Sequence, residues 1–280
     1  MKRTTVWLTT AAALAGLAAC TSSGSSDRPE QEKQPASAPA SLTALRAAER
    51  STERAGTARV RSTTVMGTQL SLTADGVLAW RDGLSGSLTI DYTGGTAAET
   101  MRGLGVTSMQ ARYLSDAYYA RMGDTFAAKT GGKHWLRYAY DDLKTLGGGA
   151  ALADQMRSTT PGQSVRLLLD SDDVRELGRQ TVDGRTTTHY AGTVDVEDVT
   201  DTGLRQRLQE ADVTAESVDI WINEKNLLVK KIEKTSTASG RVTQTAHYSD
   251  YGVKVTVRRP PPADTEDFRN LLSQSGTNPT

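Results

Sequence analysis

Apolar residues at every second position run through most of this chain, and no other feature restricts its fold so tightly. In LSLTADGVLAW, Leu70, Leu72, Ala74, Leu78 and Trp80 fall on one side, with Ser71, Thr73 and Asp75 on the other. A period of two is the mark of a half-buried strand, one face against a core and the other wet. TARVRSTTVMG before it alternates in the same way, and GSLTIDY after it brings Leu88, Ile90 and Tyr92 to one side. SMQARYLSDAYYARMG and KHWLRYAY continue the pattern less cleanly. It returns in VRELGRQTVDGRTTTHYAGTVDV, where Asp183-Gly184 marks a tight hairpin, and closes through ESVDIWINEKNLLVKKIEKTS and RVTQTAHYSDYGVKVTVRRPPP. Successive strands joined by short turns predict an antiparallel meander.

Helical spacing interrupts it in three places. Ser41 can cap a first helix carrying Leu42, Leu45 and Ala48, ending near Gly56. In the middle, Gly147-Gly148-Gly149 precedes a short helical run, AALADQMRS. TPGQSVRLLLD then opens with Thr160 as cap, Pro161 at the first helical position and Gln163 three residues after the cap, and Val165, Leu168 and Leu169 form its apolar stripe. Residues 203–211 present Leu204, Leu208 and Ala211. Few helices beside a long antiparallel sheet predict an α+β fold with the helices on one face.

The ends read differently. Lys2 and Arg3 precede an apolar Ala/Leu-rich run, Val6 to Ala19, which is the layout of a secretory signal peptide spanning residues 1–19. Cys20, the single cysteine of the 280 residues, follows Leu17-Ala18-Ala19 and resembles the lipobox of bacterial lipoproteins. That resemblance implies cleavage before Cys20 and a thioether to diacylglycerol, an extracytoplasmic protein anchored to the cell membrane, and a thiol with neither redox nor nucleophilic duty. Two or more acyl chains hold a protein to a bilayer stably. Residues 20–40 are rich in Ser, Pro and charge without large apolar side chains, and predict a disordered tether. A single domain is expected over 41–262, with a flexible tail over 263–280.

The chemistry expected of an enzyme is missing from the sequence. His134, His189 and His247 do not share metal-ligand spacing, and neither a metalloprotease motif nor a phosphate loop occurs. Ser85 in GLSGS lacks the second glycine of a nucleophile elbow. Asp170–Asp173 lacks the glycine and terminal Glu of an EF-hand loop. We therefore expect no catalytic residue, metal or cofactor. Residues 1–19 hold two of the 33 basic and none of the 33 acidic residues, so the rest of the chain stands near −2 and gives no reason to bind nucleic acid.

The later segments carry a family resemblance. Gly178, Val182, Gly184, Thr188, Tyr190, Gly192, Val194 and Asp195, then Trp221 and Ile222, then Tyr248, Asp250, Tyr251, Gly252, Val255, Pro260 and Pro261 match the pattern of LppX/LprG-type lipoproteins of actinobacteria. Those motifs cover about residues 174–263, with looser agreement before them. One departure is NEKN after the Trp221 strand, where relatives carry Asp and Gly; Asn226 can still take the left-handed turn.

The resemblance implies a LolA/LolB-like half-open β-barrel: a strongly curved antiparallel sheet whose concave face is covered by helices. It further implies a monomeric carrier or store of lipid or glycolipid acyl chains in the cell envelope. The expected cavity wall is Leu70, Leu72, Leu88, Ile90 and Tyr92 from the early strands, with Val165, Leu168 and Leu169 from the capped helix. The triple glycine could let the helices act as a lid. The residues alone fit a dry, closed core equally well. The same fold could also serve as a non-enzymatic envelope sensor or assembly module that binds a protein partner.

Overall fold

The computed structural model describes residues 38–145, 153, 160–237 and 240–274. The leader, Cys20, most of the tether, Gly147–Gly149 and nearly all of the run after them lie outside the described residues. The first helix, α1 (Ala38–Ala55), is followed by β1 (Thr57–Met66), β2 (Leu70–Ala79) and β3 (Ser85–Gly94). After α2 (Gly95–Gly103) come β4 (Ser108–Tyr113), β5 (Ala117–Arg121), the short α3 (Asp124–Ala127), β6 (Trp135–Ala139) and α4 (Tyr140–Leu143). The second half holds α5 (Pro161–Leu169), β7 (Arg175–Val182), β8 (Arg185–Asp195), α6 (Thr202–Glu210), β9 (Ala215–Asn223), β10 (Leu228–Thr237) and β11 (Gly240–Ser249). β12 (Thr265–Asp267) and α7 (Phe268–Gln274) close the described chain.

Among the described residues all twelve strands join one curved, non-closed sheet in the order β12-β6-β5-β4-β3-β2-β1-β11-β10-β9-β8-β7. The meander read from the alternation is therefore real, and β1 meets β11, its neighbour from the far end of the sequence. Asp183 and Gly184 both have positive φ, 49° and 73°, as their two-residue turn requires, and Asn226 takes the left-handed conformation at 56°.

Two cores form on the inner face. α1 and α5 lie over the second half of the sheet, where Leu45, Ala48, Val165 and Leu168 pack with Tyr190, Val194, Val218 and Ile220. In the first half, Met109, Ala111, Tyr118, Ala120, Tyr140 and Leu143 form a separate core, with Leu88, Ile90, Tyr92 and Phe268 packed on its margin. Between them runs the inner face of β1 and β2, where Ser62, Thr64, Met66, Leu70 and Leu72 are half-buried.

Four sequence expectations are corrected. The first helix begins before Ser41, which is buried within it. Thr160 does precede α5 with extended backbone, but its hydroxyl donates to Glu53 of α1 at 3.2 Å and does not cap the helix. Glu53 also accepts from Arg166, so the two helices share a polar seam there.

The third correction concerns GVKVTVR, which alternates like a strand yet joins no ladder. It is a strap across the outer face: Val253, Val255 and Val257 are half-buried, Lys254, Thr256 and Arg258 exposed. Arg112 holds it by donating to the Arg258 carbonyl at 2.8 Å, and Arg259 makes a two-pronged contact with Asp116, both at 2.9 Å. A chain crossing strands buries every second side chain just as a strand does, so alternation cannot tell the two apart.

The fourth concerns the tail. Residues 265–267 pair in parallel with β6 and cover that edge. Lys133–Glu266 at 2.7 Å and Arg137–Asp267 at 2.6 Å fasten it, and Phe268 packs at a tilt against Tyr138, ring centres 4.7 Å apart. Carboxylates and one aromatic amid polar residues read as solvent-exposed until their cationic partners on β6 are known.

β2 and β3 approach closely at Gly76, where a Cβ would overlap the Ser87 carbonyl oxygen. Gly76→Ala is expected to destabilise the protein by about 1–3 kcal/mol, read as a lowered thermal midpoint.

Candidate functional site

Directly paired residues of an antiparallel sheet share a face, so the register reads out the inner wall row by row. One row runs Val218, Glu233, Gln244, Thr64, Leu72, Tyr92 from β9 to β3. The next runs Ile220, Lys231, Ala246, Ser62, Ala74, Ile90, and the row on the other side of the first runs Glu216, Thr235, Val242, Met66, Leu70. The wall is graded. Charge is confined to β9 and β10, where Val218 and Ile220 accompany it; β11 and β1 mix Gln244, Thr64 and Ser62 with Val242, Ala246 and Met66; β2 and β3 carry apolar side chains and Tyr92.

The charged end borders a cavity of about 550 Å³ beneath α5 and α6. Gln163 and Leu167 of α5 and Leu204, Arg207 and Leu208 of α6 form its roof, with Glu216, Lys231, Glu233, Gln244, Val242 and Met66 on its floor. α6 has no fully buried residue and touches the core only through half-buried Leu204 and Leu208. Asp201 caps it by accepting from the Leu204 amide at 2.9 Å.

Three ionisable side chains on a core-facing wall call for explanation. Lys231 is 4% exposed and its Nζ lies 2.6 Å from the Glu233 carboxylate. Glu216 is 9% exposed. Burial, and then the nearby Glu233 carboxylate, push its carboxyl up to about 8, against the smaller opposing pull of Lys231. At neutral pH it is a neutral acid within the wall.

The sign of the linked stability follows. Unfolding restores an ordinary carboxyl near 4.5, so between about 4.5 and 8 the folded state holds a proton that the unfolded state gives up. Stability contributed by this group is complete below that interval and is lost as pH rises through it. Thermal midpoints measured across that range should fall, and Glu216→Gln should flatten the slope.

The structure disperses the predicted wall residues. Leu70 and Leu72 are half-buried on the apolar end of the inner face, opposite Met66 and Thr64. Leu88, Ile90 and Tyr92 continue that end and rest against the second core. Val165 and Leu168 have no exposed surface and are plain core, while Leu169 packs at its margin. The apolar α5 residue facing the cavity is Leu167, beside Gln163, and it lies one position off the stripe chosen from the sequence.

Glu216 alternates with Val218, Ile220 and Ile222 and was legible as inward-facing, whereas Lys231 and Glu233 were missed because of a β-bulge. Between Leu228 and Lys230 the pairing slips by one residue, which turns Lys231 and Glu233 inward and sends Ile232 out. A strand written LVKKIEKTST reads naturally with Ile232 inside. For the β10 pair the available signal was that both faces of that strand carry charge.

The histidines belong to structural contacts. His189 stacks on Trp221 at 4.1 Å and pairs with Asp219 at 2.8 Å, while Lys230 covers the indole at 4.5 Å. His134 pairs with Asp264 at 2.6 Å and His247 with Asp183 at 2.7 Å. Among the described residues no group of three His, Cys, Asp or Glu could hold a metal ion, and no helix is long and apolar enough to cross a membrane.

Comparison with known proteins gives two curated relatives. A Streptomyces coelicolor protein named "Putative lipoprotein SCO4650" is 53% identical over 295 aligned positions, covering 99% of this chain and 98% of the relative. The "Uncharacterized 31.2 kDa protein in rplA-rplJ intergenic region" of Streptomyces griseus is 44% identical over 251 positions, covering 85% and 82%. No family model matches the chain. Among solved structures, the lipoprotein LppX of Mycobacterium tuberculosis superposes with a TM-score of 0.53 at 18% identity, over 79% of this chain and all of that one. LprF of Mycobacterium bovis follows at 0.50 and 16%, over 81% and 98%. At such identities the likeness is one of fold.

Proposed function

This chain belongs to one family with the Streptomyces coelicolor putative lipoprotein and shares the fold of LppX and LprF, and from that premise we propose that it is an LppX/LprG-type lipoprotein that binds lipid acyl chains on the inner face of its sheet. The observation that carries the reading is the graded wall. An apolar strip over β2 and β3 leads from a second core toward a 550 Å³ cavity with polar groups at its far side. That is the profile of a lipid, greasy over most of its length and polar at one end.

The energetics suit carriage. Each methylene removed from water contributes about 0.8 kcal/mol, against ordering costs that remove a large share. The four steps from β10 to β3 span about 19 Å at ordinary strand spacing, which accommodates a long acyl chain laid across the strands. Leu70, Leu72, Leu88, Ile90 and Tyr92 would line that course. No reacting group is needed, and we read the protein as a carrier or store and not an enzyme. Cys20, lipidated and then freed of residues 1–19, would fix it to the outer side of the cell membrane, with residues 21–37 as the tether.

Native mass spectrometry of the full-length protein from an actinobacterial host tests the reading. We expect one lipid per chain beyond the N-terminal anchor. A chain carrying the anchor alone, and taking up no added fatty acid or acylglycerol, would remove lipid carriage. A stoichiometric protein partner retained by such a lipid-free chain would establish an envelope assembly role instead.

A further inference from the structure

The polar end of the wall has no task in shielding an acyl chain. Burying a charge pair and a third carboxyl among apolar side chains is costly, and well-packed apolar residues would do at least as well for stability. The trio therefore points to a ligand. Three observations narrow its chemistry.

The first is that Glu216 has no partner. Lys231 and Glu233 satisfy each other at 2.6 Å, whereas among the described residues the Glu216 carboxyl, nine-tenths buried and on the cavity floor, makes no hydrogen bond. Its oxygens are not among the fully buried unpartnered atoms, so they open onto the cavity and are free to bond a ligand group.

The second is charge balance. The groups facing Glu216 are Lys231 and Glu233 from β10 and Arg207 and Glu210 from α6, two of each sign. Tyr248 of β11 is held in its neutral form first by burial and then by the Glu233 charge. α5 contributes only Gln163 and Leu167, and β8 pairs apolar Val194 with Glu216. An anionic headgroup meets Glu233 and Glu210, and a cationic one meets Arg207 and Lys231. Neither sign is rewarded. Hydroxyl groups, which both donate and accept, suit every member of the set.

The third is position. The trio stands on the same sheet rows as the apolar strip, so a chain lying over Leu72 and Tyr92 delivers its polar end to Glu233 and Glu216.

We propose that Glu216, with Lys231 and Glu233, forms a headgroup site that selects lipids with an uncharged, hydroxyl-bearing headgroup over phospholipids and simple esters. The inference rests on the lipid-binding reading above. Glu216 in its neutral form donates to a ligand oxygen. Ionisation as pH rises past about 8 removes that donor and leaves an unbalanced negative charge in the wall, so binding is strongest below that point.

The test uses the full-length, delipidated protein with three probes of one chain length: monooleoylglycerol, methyl oleate and dioleoylphosphatidylglycerol. Binding is compared at about pH 6 and about pH 9.5. Monooleoylglycerol should bind at least about tenfold tighter than methyl oleate at the lower pH, the worth of one good hydrogen bond, and lose most of that advantage at the higher. Glu216→Gln, which keeps a neutral donor and acceptor, should hold the advantage at both pH values. Glu216→Leu should lose it at both and still bind methyl oleate, which certifies that the fold and the groove survive. Equal binding of the ester and the glycerol lipid by wild type, preference for phosphatidylglycerol, or an unchanged pH response in Glu216→Gln would overturn the headgroup site while leaving lipid carriage intact. Failure of all three probes to bind would remove the carriage reading itself, and this inference with it.

Discussion

Lys231→Ala is expected to lower stability by about 3–5 kcal/mol, the usual consequence of breaking a buried ion pair and leaving its carboxylate unpaired. Lys231 is nearly inaccessible, and its loss would leave Glu233 facing Glu216 with no cation between them. In a protein of this size each kcal/mol shifts the thermal midpoint by about 2–4 °C, so a fall on the order of 10 °C is anticipated. The informative control is the triple variant Glu216→Leu, Lys231→Met, Glu233→Leu. Because the desolvation cost vanishes along with the attraction, it should match or exceed wild type in chemical denaturation. A triple variant as unstable as Lys231→Ala would show that the trio holds the fold together, and would undercut the argument that it is kept for a ligand.

The second large effect concerns the apolar strip. Leu72 lies between Thr64 and Tyr92 on the inner face, half-buried. Leu72→Trp should leave the two cores intact but fill the trough between them. If the added ring excludes about four methylenes, roughly 3 kcal/mol of burial is lost and affinity for an acyl chain falls about a hundredfold. Thr63→Trp, one residue before Leu72's cross-strand partner Thr64 and on the exposed face of β1, should have no such effect in the same binding assay. Equal loss in both variants would place the ligand elsewhere.

The parts of this fold that were legible in the sequence are those set by side-chain period. Strands β1 to β3, the Asp183-Gly184 turn and the helices over Leu45 and Val165 each follow from local patterning, which tertiary contacts merely complete. What was hidden depends on a shift of one residue or on a distant partner. The bulge at Val229 inverts β10, so Lys231 and Glu233 turn inward although Ile232 is the residue expected there. The α5 stripe of Val165, Leu168 and Leu169 points to the core, and the cavity sees Leu167, because the roof is shared with α6, an element 30 residues on. Arg259 and residues 264–267 are fastened to Asp116, Tyr119, Lys133, His134 and Arg137, more than a hundred residues earlier. No local pattern carries that information.

The central claim is that an acyl chain lies along the inner face of β1 to β3 with its polar end toward β10. A fatty acid bearing a photoactivatable diazirine at mid-chain, bound to the full-length protein and irradiated, reports the position directly. Peptide mapping should find the label on the segments holding Leu70, Leu72, Ile90 and Tyr92, and excess unlabelled oleate should suppress it. Label concentrated on outer-face residues such as Val65, Leu177 or Val255, or label that oleate does not displace, would contradict the account.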